Sequence, residues 1–552
     1  MADAQQIITQ PIATKVFFDA VGDAAGGVGK QVTAEVAQAV LKDNKTPVPA
    51  VVESLLSKFK PEHHGLLLDA VRDGSSEFER LHGRAPDPSL VEFAVFQADR
   101  GVTKLSDLGL ARLDSATNNH HDQLSLVPAT PITAIMAQFS EAIPFAAYLP
   151  ADLKNNEARL AIMDNKADSD YGDYAKGDSL SGIAGGQNYL DAERLITVAT
   201  TANSGAGPFP FAITVKNDGS GGTVPVLRGR TVVIVNGIAR AFESRVTAYG
   251  SGSSTFSGSV KIGATTYTLG GSINTDTGVG SITTSAAWPG GATLQVSACI
   301  DFEKAPQLIP YIGTEVTPYS LFAHPNRGAL KSTIDAMTQM QNELALDPRG
   351  QAMLSLRAQY NQERHYRVLG KMKAIGAGIT GTWDYDYANQ IEQKDFGQLW
   401  LNLMPVLANA SQRMAESTID HGIDTLYVGK KLMSRVRGLP SSIWQPSGLT
   451  DRPGVYRLGR LFNLFDVYYT PKGITETSTA SEIIAIGRGT QVARSPIVLG
   501  DAVPPIFLPL AMDHALETKD GWYTRNFTEV NPHEPSAMGA ALISVTNIDA
   551  NN

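Results

Sequence analysis

Cysteine is almost absent from this chain: Cys299 stands alone among 552 residues, so no disulfide can form within it. The fold must hold without covalent staples, and a reducing compartment is the expected place of folding. Long apolar runs are also missing. No stretch approaches the roughly 18 consecutive apolar residues of a membrane-spanning helix, so no membrane contact is expected. The opening MADAQQIITQPIATKVFF has no basic region followed by a continuous apolar core, so no signal peptide is expected. Positive charge is not in excess. Lys and Arg number 46 against 55 Asp and Glu, a net charge of −9, which is no electrostatic footprint for nucleic-acid binding. Catalytic signatures are lacking too. There is no G-x-S-x-G elbow. The pairs His63-His64 and His120-His121 are adjacent rather than four apart beside an acid, so no zincin pattern exists. No enzymatic turnover, cofactor or metal ion is expected.

What is present is ordinary core-forming text, with 43% apolar and 18% charged residues, in a chain long enough for several domains. Residues 1–129 read as short helices: Val32, Val36 and Val40 recur at helical spacing. Val51, Val52, Leu55, Leu56 and Phe59 do the same after Pro49, and Leu90, Phe93, Val95 and Phe96 follow the start signal Asp87-Pro88-Ser89. Residues 130–207 begin apolar. They then pass through EARLAIMDNKADSDYGDYAKGDSLSG (Glu157–Gly182), a strand that turns polar and glycine-rich, which reads as a long exposed hairpin.

From Pro208 to Phe302 the text is all-β. TVVIVNGIARAF places Asn236-Gly237 between apolar runs, a strong hairpin signal. TTYTLGGSINTDTGVGSITTS (Thr265–Ser285) reads as two strands and a turn, and the whole as an inserted sandwich-like domain. Residues 303–390 start extended (Gln307–Ala323). A helical face of Leu330, Ile334, Met337 and Met340 or Gln341 follows, then a long helix over Pro348–Ile375. Residues 391–490 alternate: a helix over Phe396–Ser417 interrupted at Pro405, a strand at Thr425–Val428, a basic helix at Lys430–Arg437 and further strands. Residues 491–552 end in the buried strand text GAALISVTNI. Helices and strands are segregated rather than βαβ-repeating, so the fold class is α+β.

Three strings invite chemistry. AAGGVGKQV (Ala24–Val32) is similar to the KGGVGKT phosphate loop of chromosome-partitioning ATPases, but Gln31 replaces the hydroxyl that holds magnesium. No strand text ends before Lys30 either. Asp164, Asp168, Asp170, Asp173 and Asp178 crowd one loop. Starting a calcium loop at Asp168 puts Asp173 where Gly belongs and Ser179 where the closing Glu belongs, so a solvated acidic loop is the plainer reading. Lys430, Lys431, Arg435 and Arg437 form a basic helical stretch suited to solvent or to subunit contact, with nucleic-acid contact the lesser reading.

The order of elements resembles the major capsid protein of tailed bacteriophages, the Hong Kong 97-like fold, over Thr130–Ile548. In that resemblance Glu157–Gly182 would be the E-loop and Pro348–Ile375 the spine helix of a peripheral domain, with ERHYRVL inside it. TLYVGKKLMSRVRG (Thr425–Gly438), VYRLGRLFNLFDVYYTP (Val455–Pro471) and SEIIAIGRG (Ser481–Gly489) would belong to an axial domain. ARSPIVLGDAVPPIF (Ala493–Phe507) and the terminal GAALISVTNI (Gly539–Ile548) would make the return, over residues 491–552, to the axial and peripheral domains. Residues before Asn119 exceed a minimal N-terminal arm, and the resemblance implies that they are held by neighbouring subunits and that the β insert faces outward.

The implied function is structural. Copies would form hexamers and pentamers of an icosahedral shell in the virion, assembled in the host cytoplasm, enclosing double-stranded DNA without sequence-specific binding. Scaffold, portal and decoration proteins would be further partners. The other readings are a tail or decoration component, or a P-loop ATPase. The expected subunit-contact residues are Tyr171, Asp173 and Tyr174 on the E-loop, facing Arg364 and Arg367 or Lys430, Lys431, Arg435 and Arg437 on an adjacent copy.

Overall fold

The computed structural model describes residues 2–26, 30–42, 47–107, 129–152, 155–200, 205–244, 252–333, 348–386, 396–510 and 517–548. The chain forms two compact units, one of Met1–Ile162 with Thr317–Asn552, the other of Met163–Val316.

The first unit opens with helices Ala2–Ala24, Ala34–Lys42, Ala50–Ser57, His64–His82, Pro88–Asp107 and Ala129–Ser140. Helix His64–His82 buries Leu67, Val71, Gly74 and Phe78 on one stripe, the spacing of a single helical face. It stops at Gly83, whose φ of 68° is left-handed and whose N–H donates to the Glu79 carbonyl at 2.7 Å. A Cβ there would fall 2.3 Å from the Arg457 guanidinium, which Asp466 holds at 2.7 Å. Gly83→Ala therefore adds about 1–2 kcal/mol of left-handed strain to the displacement of a buried ion pair. A lowered urea midpoint at unchanged m-value would report it.

These helices do not behave as the arm expected from the sequence. Phe17, Val21, Phe78 and Phe93 share one core with Phe145, Val368, Leu369, Met372, Tyr427 and Tyr468 of the same chain. Their narrow stripes need an outside surface, and the chain's own long helix and sheet supply it.

The long helix, Pro348–Gly376, has 29 residues, or about 44 Å at roughly 1.5 Å per residue. Val368, Leu369 and Met372 are fully buried in its second half, while Leu354 is 70% exposed in its first. Before it, the expected helical face at Leu330 is instead strand His324–Thr333, paired antiparallel with Glu517–Val530. Pairing with a strand near the C-terminus overrides a weak local helical period. Ile334, Met337, Met340 and Gln341 lie outside the described residues.

Two sheets complete this unit. One has four strands, in the order Ala147–Tyr148, Ile497–Leu510, Glu517–Val530, His324–Thr333. The other has seven, in the order Thr380–Asp384, Ala540–Thr546, Ser481–Gly487, Ile423–Val428, Phe465–Tyr469, Tyr456–Leu461, Trp444–Pro446. Against the seven-stranded sheet lie helices Phe396–Leu401 and Leu403–Thr418, around Trp383, Trp400, Leu407 and Leu426. The break falls at Asn402, which puts Pro405 in the first turn of the second helix, where its missing N–H costs nothing.

The second unit is one eight-stranded sheet, in the order Glu193–Thr197, Leu294–Cys299, Val232–Val235, Ile238–Glu243, Ser253–Ile262, Thr265–Asn274, Val279–Thr284, Phe209–Ala212. It differs from the sandwich expected. All eight strands are hydrogen-bonded in a single sheet that buries one face, with Val233, Val235, Leu269, Ile273 and Ile282 inward. The Asn236-Gly237 hairpin has positive φ at both residues, 49° and 76°, as a two-residue type I′ turn demands. This unit also extends beyond Pro208–Phe302. Strand Glu193–Thr197 pairs with Leu294–Cys299, and Tyr171, Tyr174 and Tyr189 sit in the same core.

A two-stranded ribbon carries the chain out of the first unit and back: Glu157–Ala167 pairs with Ile312–Phe322. Its ends are marked by Ala323 N–H to Asn156 O and Asp168 N–H to Tyr311 O, each 2.9 Å. The hairpin expected within Glu157–Gly182 is present only at its end, where Lys166 faces Ser179 in an antiparallel bridge and Ala167 N–H donates to Asp178 O at 2.9 Å and Leu180 N–H to Asn165 O at 3.0 Å. The longer partner of strand Glu157–Ala167 is Ile312–Phe322, which follows the eight-stranded sheet in the sequence.

Candidate assembly surfaces

Tyr171 and Tyr174, expected to be exposed anchors on a mobile loop, are buried at 1% and 3% exposure. Their backbones bond reciprocally at 3.1 Å across Gly172, which has a φ of 63°. The Tyr171 hydroxyl donates to Asp191 O at 3.1 Å, and the Tyr174 hydroxyl donates to Ala184 O. Tyr189 meets both rings edge-on, at 6.3 and 5.4 Å. The buried Arg194 lies 4.1 Å over the Tyr171 ring and donates to Asp191, Glu193 and Val215 carbonyls. A sheet with one apolar face needs a cover, and this aromatic turn is part of it. That corrects the exposed placement from which an intersubunit role was inferred.

The acids of the loop also have local work. Asp173 is exposed and accepts from Asn188 N–H at 3.1 Å and Asn217 Nδ2 at 3.0 Å. Asp170 accepts from Lys176 N–H and Asp178 from Ala175 N–H. Lys176 pairs with Asp168 at 2.9 Å on the surface, a contact worth little in solvent. Among the described residues no group of three or more His, Cys, Asp or Glu is placed to hold a metal ion.

The basic residues do not form one face. Arg364 is turned inward, its Nη2 3.1 Å from Asp501 Oδ1, and Asp501 is 2% exposed. Burial pushes the Asp501 carboxyl up, against the pull of the guanidinium. Arg367, one turn on, is exposed. In helix Lys430–Val436, Leu432, Arg435 and Val436 are buried. Spacings of three and four put that arginine on the inner side. Lys431 Nζ donates to Thr477 O and Ser478 O, and Arg437 pairs with Asp451. Lys430 is exposed. The residues expected to act together are thus brought together only in separate local groups, and Arg364, Lys431 and Arg437 already have partners within the chain.

The sequence reading missed the ribbon's apolar surface. Met163, Tyr311, Ile312, Val316 and Phe322 are 54–63% exposed, although apolar side chains of this size are usually covered. The text PYIGTEVTPYSLF carries the signal, since its large apolar residues fall on both sides of a strand that has one partner among the described residues. Two strands alone bury little and are marginal in water.

Helix Ala2–Ala24 lies directly before the glycine-rich string around Lys30, where a phosphate loop needs the end of a strand. Gly27, Val28 and Gly29 are outside the described residues. No described helix is long and apolar enough to cross a membrane.

No protein-family model matches this chain, and no curated protein matches it. Solved structures do. The chain is similar to the capsid of jumbo bacteriophage PhiKZ, with a TM-score of 0.38, 8% identity, and coverage of 73% of this chain and 91% of that one. It is similar to a chain of Microbacterium phage Oxtober96, with a TM-score of 0.29, 13% identity, and coverage of 43% and 77%. A third likeness is to the SrpI encapsulin complex of Synechococcus elongatus, with a TM-score of 0.28, 10% identity, and coverage of 43% and 79%. Likenesses at these scores leave the architecture to be read from the chain's own topology, which mixes helix and sheet.

Proposed function

We propose that the chain is a shell-forming structural protein, the major capsid protein of a tailed phage. In this reading copies associate through hexamers and pentamers into an icosahedral head around double-stranded DNA. The observation that carries it is the path of the chain. After the ribbon comes the long helix, then the seven-stranded sheet. Strands Ile497–Leu510 and Glu517–Val530 then return to lie between Ala147–Tyr148 and His324–Thr333 in the earlier sheet. That order matches the one the sequence resemblance implies as far as Val530, whereas the last strand, Ala540–Thr546, goes back into the seven-stranded sheet instead of staying with the returning strands.

The exposed ribbon supports the same reading. Its apolar side chains gain from a neighbouring copy, and obligate interfaces commonly bury about 2,000–5,000 Å² in all. The ribbon thus replaces Tyr171 and Tyr174 as the surface offered to a neighbour, with Arg367, Lys430 and Arg437 the exposed members of the basic set. Scaffold, portal and decoration partners fit this role, as does assembly inside the host cell.

Negative-stain microscopy and sedimentation of the expressed chain test it. Shells or ring-shaped capsomers are expected, and Ile312→Asp with Val316→Asp should abolish them while leaving the melting temperature within a few degrees. Tubes would favour a tail component. A stable monomer at high concentration, with saturable ATP hydrolysis removed by Lys30→Ala, would favour the ATPase reading.

A further inference from the structure

Where the N-terminal helices meet the seven-stranded sheet, two histidines are buried against two tyrosines. His82, the last residue of helix His64–His82, bonds through Nδ1 to the Tyr468 hydroxyl at 3.0 Å. His365, on the long helix, bonds through Nε2 to the Tyr427 hydroxyl at 3.2 Å. The two tyrosine rings stack with centroids 5.4 Å apart, on the adjacent strands Phe465–Tyr469 and Ile423–Val428. Two helices and two strands therefore converge on one small cluster.

The three arginines described around it are already paired. Arg84, just after the helix, pairs with Asp424 of the sheet and donates to Pro144 O. Arg457 pairs with Asp466 at 2.7 Å, and Arg488 with Asp87. Among the described residues, no carboxylate is among the groups that act on either imidazole. Two guanidiniums, of Arg84 and Arg457, and the second imidazole stand against it at His82.

We propose that His82 and His365 form an acid-sensitive latch, which releases helix His64–His82 from the seven-stranded sheet when the imidazoles take up protons. Burial, and then the nearby Arg84, His365 and Arg457, hold His82 down to about 3. Burial holds His365 down to about 4. Both values lie below the ordinary 6.5, so the sign is fixed. The closed state is fully favoured above pH 6.5. As pH falls the open form binds protons first, and closure weakens until the buried values are reached. The tyrosines stay protonated throughout, since burial raises both. Linkage sets the slope at about tenfold in the opening constant per pH unit for each histidine exposed by opening.

Hydrogen exchange of the full chain, read by mass spectrometry from pH 7 to 4.5 and corrected for intrinsic rates, tests this whether or not the chain is assembled. Protection of helix His64–His82 should fall about tenfold or more per unit below pH 6.5, while strand Ser481–Gly487 keeps its protection. His82→Gln should flatten the slope by about tenfold per unit, and His365→Gln should remove most of the remainder. Tyr468→Phe lowers protection at neutral pH but keeps the slope, because it leaves the histidine in place. The proposal is overturned by a flat wild-type profile, by a slope unchanged in His82→Gln, by a slope lost in Tyr468→Phe, or by parallel loss in Ser481–Gly487. If His82→Gln does not fold, the wild-type and Tyr468→Phe profiles still decide.

Discussion

Arg364→Ala is expected to cost about 3–5 kcal/mol of folding stability, the scale of removing one partner from a buried ion pair. The guanidinium is 13% exposed and its carboxylate partner 2%. Its Nη2 reaches Asp501 Oδ1 at 3.1 Å and its Nε donates to Thr528 Oγ1 at 3.2 Å. The backbone carbonyl of Asp501 accepts from Gln97 Nε2 at 3.2 Å, and Arg100 donates to the carbonyl of Ala502. One residue thus ties the long helix to the returning strand, and that strand to helix Pro88–Asp107. Truncation leaves the Asp501 carboxylate buried with only the weaker pull of Arg100, which is the costly half of the change.

Two controls separate this from lost packing. Adding Asp501→Asn removes the orphaned charge, so the double variant should recover more than half of the deficit in a urea titration. The pH dependence should also be distinctive. Asp501 is already held above the ordinary 3.8 by burial, and loss of Arg364 raises it further. A raised carboxyl favours the folded state below its unfolded value and loses that contribution as pH climbs. The deficit of Arg364→Ala should therefore be largest near neutrality and shrink toward pH 4. Additive single and double variants, or a deficit flat with pH, would show that the pair is incidental.

Local pattern made part of the fold legible. The Asn236-Gly237 turn, the helix from Pro348 and strand Ile423–Val428 each follow from residues within one short window. The ribbon did not, because its strands Glu157–Ala167 and Ile312–Phe322 are separated by the whole β unit and no local signal names the partner. Arg364 and Arg435 look like surface cations in the text. Only the packing of the long helix on Asp501, and of Leu432 and Val436 inward, turns them into the interior. Tyr171 and Tyr174 misled in the same way. Glycine and aspartate around an aromatic pair read as a mobile loop, yet Gly172 is there because a Cβ would meet Asn188 O at 1.9 Å. The turn is tight because it is packed.

The substitution pair Tyr171→Ala with Tyr174→Ala now carries a different expectation from the one its composition suggests. Each removes a buried aromatic, at about 3–5 kcal/mol. The sum rivals the about 5–15 kcal/mol that holds a whole domain. The β unit should lose its protection from proteolysis and its calorimetric transition, whereas Tyr171→Phe, which removes the hydroxyl's bond to Asp191 O and its contact with Arg194, should cost about 1 kcal/mol. Deletions sharpen the test. Removing residues 208–302 strips the cover from Tyr171, Tyr174 and Tyr189 and leaves strand Glu193–Thr197 without Leu294–Cys299, so an insoluble product is expected. Removing 168–310 and joining Ala167 to Tyr311 through a short Asn-Gly turn closes the ribbon as a plain hairpin, near the place where Asp168 N–H already meets Tyr311 O at 2.9 Å. That shorter chain should stay soluble, and its first unit should melt where it does in the full chain. A soluble 208–302 deletion beside an insoluble 168–310 deletion would mean that the aromatic turn belongs to the first unit's core, and the placement argued from Tyr171, Tyr174 and Arg194 would fail.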